Sequence, residues 1–294
     1  MTKEASVKNR GLIILLSICA LLIAGSAWAS YPMRVRDARG KAITIKSKPM
    51  RIVSIAPGNT EILFALGLGG RVVGVTRYCD YPAAAKSKTK VGDMTISAEA
   101  VIGLKPDLVL AHGTLNSAAI PRLEKLGVTV FAIDPKTMGE TARDIRTIGE
   151  ITARPKTADR VAGRIESAIK QVKAASAHKP SHRVLVVVQS SPLWAAGPKT
   201  FVDEMIRTAG GKNIASDAKP GFVPFSRELA ISRNPDVIIT GLKSDIEFFN
   251  KSPEWRTTNA VKHHRVYYIN SDLLLRAGPR LAEGLQELAA AACN

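Results

Sequence analysis

Three observations predict an α/β fold of two Rossmann-like lobes, each with a mostly parallel sheet, joined by a long interdomain helix. Short apolar strands alternate with capped helices, the pattern of parallel sheets covered on both faces. A run of serine, glutamate, proline, aspartate and apolar strand occurs twice at matched spacing. Between the two copies, Thr157 to Ala177 reads as one uninterrupted amphipathic helix.

Residues 1–29 have the order of a secretory signal. Lys3, Lys8 and Arg10 precede an apolar core from Leu12 to Gly25, and Ala27-Trp28-Ala29 is a small-x-small cleavage site before Ser30. A retained membrane anchor is the other reading of this stretch. Cys19 brings a lipoprotein to mind, but Ile18 stands where a small residue is needed and more apolar sequence follows. The expectation is therefore a cleaved signal and a soluble exported chain. The remainder divides into an N-terminal lobe over 30–153, a linking helix over 154–180 and a C-terminal lobe over 181–294.

After an irregular arm with an Asp37-x-x-Gly40 turn, Arg51 to Ile55 is a short buried strand. Pro57-Gly58-Asn59 breaks it, and Asn59 or Thr60 is expected to cap a helix running to Gly67. Val72 to Thr76 is a strand followed by the loop Arg77 to Pro82; Ser97 caps a helix, and Leu108 to Ala111 is the next strand. A helix from about Ser117 to Leu126, a strand Val128 to Ile133 and a capping box at Thr137-Met-Gly-Glu140 complete this half. In the second half, Arg183 to Gln189, Val237 to Thr240 and Val266 to Ile269 are strands, with helices capped by Thr200 and Ser226 and a last helix from about Pro279 to Ala292.

The linking helix places Val161, Ile165, Ala168, Ile169 and Val172 on one face and charged residues on the other. At 1.5 Å per residue it is about 31 Å long, enough to cross a small domain as a strut. An ordinary surface helix of one larger domain would show the same stripe. The repeat favours two lobes: Glu99 stands seven residues before Pro106-Asp107, as Glu228 does before Pro235-Asp236.

The 294 residues exceed the usual size of one core. Net charge is +17, or +15 without residues 1–29, which suits an anionic partner. The basic residues are spread over helix faces without interleaved aromatics, so no nucleic-acid partner is expected. Cys79 and Cys293 are too few for a disulfide framework and fall in different halves, so a bridge between them is not expected. There is no Gly-x-Ser-x-Gly, no phosphate-binding glycine loop with lysine and no Cys-x-x-Cys, and His178 and His182, four apart, are separated by Pro180; no catalytic residue and no resident metal or cofactor is expected.

Ligands of parallel α/β sheets sit beyond the carboxyl ends of the strands. The loops there carry Tyr78, Tyr81, Trp194, Phe222 and Phe225, interleaved with Asn59, Asp80, His112, Asn116, Asp272, Arg276 and Arg280. Rings of this kind suit a large flat ligand, although each alone could be loop packing. His112, at a strand end, could touch ligand or reach an axial metal position.

Arg51-Ile-Val-Ser-Ile-Ala-Pro-Gly-Asn-Thr-Glu61, the Tyr78-Cys-Asp-Tyr-Pro82 loop, Leu104-Lys-Pro-Asp-Leu108, Ser226-Arg-Glu228 and the segment Ser271 to Arg280 together resemble the class III periplasmic substrate-binding proteins of ABC importers. Among its branches the chain is most similar to the cobalamin (vitamin B12)-binding proteins. That resemblance implies a monomer in the periplasm that captures a corrinoid such as cobalamin between its lobes. It implies Tyr78, Trp194, Phe222 and the segment Asp272, Leu273, Leu274, Leu275 and Arg276 as substrate contacts. It also implies Glu99 and Glu228 docking on a permease dimer that works with ATPase subunits, the membrane being approached only through that permease. Leu273-Leu274 replaces an expected aromatic pair, and haem or a ferric siderophore, with Tyr78 or His112 on the iron, is the alternative ligand. A tetrapyrrole chelatase would need a histidine and an acid facing each other across the cleft, and the export signal speaks against it.

Overall fold

The computed structural model describes residues 30–293; the expected signal segment lies outside them. Two sheets form the two lobes. In the first, Thr89–Lys90 (β5), Val72–Val75 (β4), Ile52–Ser54 (β3), Leu108–His112 (β6) and Val130–Ile133 (β7) lie side by side in that order, all parallel. In the second, Phe222–Pro224 (β11), Trp194–Ala196 (β9), Arg183–Gln189 (β8), Val237–Thr240 (β12) and Val266–Tyr268 (β13) follow one another, and Lys212–Asn213 (β10) also pairs with β8. β9 pairs antiparallel with both β8 and β11, and the other pairings are parallel. The sequence shows no strand signal at β9 and β11, because three residues each is too short for period-two alternation. The arm before Arg51 is a hairpin, Met33–Arg36 (β1) on Ala42–Ile45 (β2), turned at Asp37–Lys41 with Gly40 at φ +78°.

The linking helix runs Pro155–Ser176 (α5), with proline as its first residue, where its missing N–H leaves no bond unmade. Its buried face packs against Met138–Ile151 (α4) and the last helix, Leu281–Cys293 (α11). Gly149 and Ala158 let α4 and α5 approach closely: a Cβ on Gly149 would stand 2.2 Å from that of Ala158. Arg146 of α4 adds a two-pronged pair to Glu166, at 2.6 and 2.9 Å, and a contact to Asp159. One apolar cluster then continues from Ile52, Phe131 and Ile145 in the first lobe, through Val161, Ile165 and Val172, to Val184, Ile206 and Leu285 in the second. Each sheet's other face has its own cluster, around Val109 and Leu123 in one lobe and Ile238 and Trp255 in the other.

The internal repeat extends to single hydrogen bonds. Ser97 Oγ accepts from Ala100 N–H and Ser226 Oγ from Leu229 N–H, capping Ala98–Gly103 (α2) and Arg227–Ser232 (α7). Lys105 and Asn234 share φ +46° at the turn after each helix. The Asp107 carboxylate accepts from Arg51 N–H as Asp236 does from Arg183 N–H, while the two arginines donate to the carbonyls of Leu104 and Arg233. The capping box of Thr137 and Glu140 and the cap at Thr200 also form as expected. The first lobe's opening helix differs: it begins at Pro57 (Pro57–Ala65, α1) with Ala56 as an N-cap that offers no side-chain bond, so neither Asn59 nor Thr60 caps it.

Candidate functional site

The loops after the strand ends of the two lobes meet at one place. Glu61, on α1 just after β3, has a side chain only 1% exposed. Arg280, from the segment after β13, grips it with both prongs, Nε to Oε2 at 2.8 Å and Nη2 to Oε1 at 2.6 Å. Arg276 adds Nη1 to Glu61 Oε1 at 3.3 Å, reaches Asp80 Oδ1 at 2.7 Å, and lies 2.8 Å from Asp272 through Nη2. Tyr81 lies with its ring 4.0 Å from the Arg280 guanidinium. Beside this cluster the backbones touch: a Cβ on Gly58 would stand 2.5 Å from the carbonyl oxygen of Ala277. A second bridge runs from the Met138 N–H, at the start of α4, to the carboxylate of Glu204 on Phe201–Thr208 (α6).

The electrostatics follow from these contacts. Glu61 hydrogen-bonds Arg280 and holds its guanidinium pKa above the ordinary value. Burial opposes the charge of Asp80, but the Arg276 hydrogen bond and charge outweigh it and hold that carboxyl below its usual range. Three carboxylates thus face two guanidinium groups, engaging Nε and Nη2 of Arg280 and both Nη nitrogens of Arg276.

Exposed apolar side chains lie on loops that follow strand ends. Tyr78 is 50% and Tyr81 47% exposed on the loop after β4; Leu115 follows β6 and Leu242 follows β12, both exposed. Trp194 and Phe222 are half-buried on β9 and β11, with Phe222 edge-on to Phe201 at 6.1 Å. Phe225 lies instead in the second lobe's core, with Arg233 against its ring.

Leu273 and Leu274 correct the sequence reading. They are 4% and 1% exposed, because the short helix Ser271–Leu275 (α10) turns them into the large apolar cluster, so neither presents a side chain to the cleft. Asp272, Leu275 and Arg276 keep partial exposure. His112 ends β6 and is largely buried, which lowers its pKa; its Nε2 lies 3.6 Å from Asp134, already paired with Lys136 at 2.6 Å. Cys79 is buried beside Thr76 and Cys293 lies against Ala209, both as free thiols. Glu61 is the residue that sequence reasoning left out: it stood in the recognised motif, but its partners lie more than two hundred positions away. Asn59, buried, keeps its Nδ2 without a partner.

Glu99 and Glu228 stand in the first turns of α2 and α7, fully exposed. In each, the residue's own backbone N–H and then the capping serine hydroxyl hold the carboxyl below its ordinary pKa. Ser97 donates to Glu99 at 3.0 Å and Ser226 to Glu228 at 2.8 Å.

Two lobes bridged by a helix, with their strand ends facing across a lined junction, define a receptor for a small molecule. The family model described as "Periplasmic binding protein" matches residues 52–273, and the chain belongs to that family, the binding proteins of ABC importers. It is 41% identical over 267 residues to an uncharacterized ABC transporter substrate-binding lipoprotein, YvrC, of Bacillus subtilis, covering 88% of this chain and 85% of that protein. Among solved structures, the periplasmic vitamin B12 binding protein of Vibrio cholerae superposes with a TM-score of 0.76 at 28% identity, over 83% of this chain and 97% of that one. The periplasmic heme-binding protein of Roseiflexus sp. RS-1 does so at 0.73 and 31%, over 82% and 97%. The family binds and delivers rather than catalyses, and its partners are a permease with its ATPase and a small-molecule ligand. Among the described residues, no helix is long and apolar enough to cross a membrane.

Proposed function

We propose that this chain captures a corrinoid, cobalamin or a close relative, in the interlobe cleft and hands it to its permease. The observation that carries this reading is that exposed apolar side chains, Tyr78, Tyr81, Leu115 and Leu242, follow strand ends in both lobes, with Tyr81 against the Arg280 guanidinium at the lobe junction. Apolar surface of that kind, left in water, is stabilised by covering it with a broad ring system. Tyr78, Trp194, Phe222, Asp272, Leu275 and Arg276 form the contacts in this reading, and the similarity to vitamin B12 binding proteins supports it. Haem is the second reading, favoured by exposed Tyr78 as an oxygen ligand and by the likeness to a heme-binding protein. Calorimetric titration of residues 30–294 with cyanocobalamin and with haemin decides between them. One-to-one cobalamin binding upholds the first, whereas haemin binding that is lost in Tyr78→Phe upholds the second.

Glu99 and Glu228 dock on the permease in this reading. A lone glutamate in a first helical turn would serve the helix dipole alone, but here two stand at repeat-related sites, each steadied by a serine. Glu99→Ala with Glu228→Ala should abolish uptake while ligand affinity stays as it was; a fall in affinity would overturn the assignment. We further propose export with cleavage after Ala29. The lipoprotein name of the Bacillus relative supports the rival reading, a lipid-anchored Cys19, and the mass of the mature chain separates the two.

A further inference from the structure

We propose that the cleft floor is a specificity filter that rejects ligands with a free carboxylate at the rim and selects chelates edged with neutral amides. The proposal rests on the reading of the cleft as the ligand site. Arg276 and Arg280 are the cations of the floor; Glu61 takes the Nε–Nη2 edge of Arg280, and Glu61, Asp80 and Asp272 take the two Nη nitrogens of Arg276. Tyr81 lies against the Arg280 guanidinium as well. What remains open is acidic: the Asp80 side chain is 47% exposed and that of Asp272 26%, against 15% for each arginine.

A rim amide can donate its N–H to Asp80 or Asp272, but an ionised carboxylate has no proton to give and meets like charge. Lys86 is also attractive at Asp80, but acts more weakly there than Arg276. Corrinoids with intact side-chain amides meet the requirement, whereas haem, with its two propionates, does not if it enters propionates first.

The test compares cyanocobalamin with its monocarboxylic acids, in which one rim amide is hydrolysed. These bind to the wild-type protein, Asp80→Asn, Asp272→Asn and the double variant, followed by calorimetry. At least one acid isomer should bind the wild type on the order of tenfold more weakly than the parent, and that ratio should shrink to a few-fold in the double variant. An undiminished ratio in the double variant, or no discrimination by the wild type, overturns the filter. Asp80→Asn alone, at the more exposed carboxylate, carries the test where the double variant does not fold. If the wild type takes up no cyanocobalamin, the corrinoid reading fails. The filter is then judged with haemin: it stands if the double variant gains haemin affinity and falls if it does not.

Discussion

Replacing Glu61 with glutamine keeps its shape and removes the charge that holds the two arginines at the lobe junction. The Glu61 side chain is 1% exposed, so water cannot take its place, and Arg280 would be left with Asp272 at 3.7 Å as its nearest carboxylate. Removing one partner of a buried ion pair costs about 3–5 kcal/mol. Arg276 keeps Asp80 and Asp272, and the glutamine oxygen can still accept one bond, so the cost should lie near the lower end, about 3 kcal/mol. For a chain of this size that corresponds to a melting point lower by about 6–12 °C. Urea unfolding followed by circular dichroism measures it, and the slope should stay unchanged because the continuous apolar cluster couples the lobes. A loss below about 1 kcal/mol, the range of an exposed pair, would refute the reasoning and make the Glu61 contact incidental. Glu61→Gln combined with Arg280→Gln should recover part of the loss, since the double variant leaves no unpaired buried charge.

Other outcomes follow from single contacts. Asp144 on α4 has its pKa pushed up to about 7, by burial first and then by Glu140 and Asp134 against Arg143. Its ionisation therefore weakens the fold progressively as pH rises from about 4 to 7, by at most about 4 kcal/mol and nearer 2 after solvent screening. Asp144→Asn should remove that slope, and an identical pH–stability profile for wild type and variant would show that the carboxyl titrates normally. Gly58→Ala should destabilise by about 1–3 kcal/mol, because the new methyl meets a backbone carbonyl of the other lobe; a neutral effect in thermal melts would mean the lobes separate there freely. Arg146→Ala, by contrast, breaks a partly exposed ion-pair group and should cost about 1 kcal/mol or less.

The fold was legible where local chemistry decides it. Capping residues announced α2, α4, α6 and α7, and the Ser-x-Glu to Pro-Asp spacing announced two lobes before either sheet was seen. The short antiparallel edge of the second lobe was not legible, since β9 and β11 exist through their pairing with each other and with β8. The site divides in the same way. Tyr78 and Tyr81 stand out because aromatic residues are scarce and these follow a strand end. Leu273 and Leu274 could not be assigned without the direction of α10, which turns both inward while leaving Asp272 and Arg276 at the surface. Glu61 sits among apolar helix residues, and only tertiary structure reveals that two arginines from the other lobe need it.

How the cleft answers its ligand is limited by what joins the lobes. Linkage through extended crossovers would let each lobe turn about a few backbone torsions. Here α5 is about 33 Å of continuous helix, and its buried face belongs to an apolar cluster shared by both lobes. Opening the junction would also part Glu61 from two arginines and Gly58 from Ala277. Each of these contacts opposes hinge motion, so ligand entry should rearrange the exposed loop at Tyr78–Tyr81 and leave the lobe separation nearly constant. Glu99 and Glu228 would then keep one spacing with and without ligand. Small-angle X-ray scattering should give the same radius of gyration in both states, and a decrease on ligand addition of the size produced by domain closure would show that α5 bends and that the strut is a hinge.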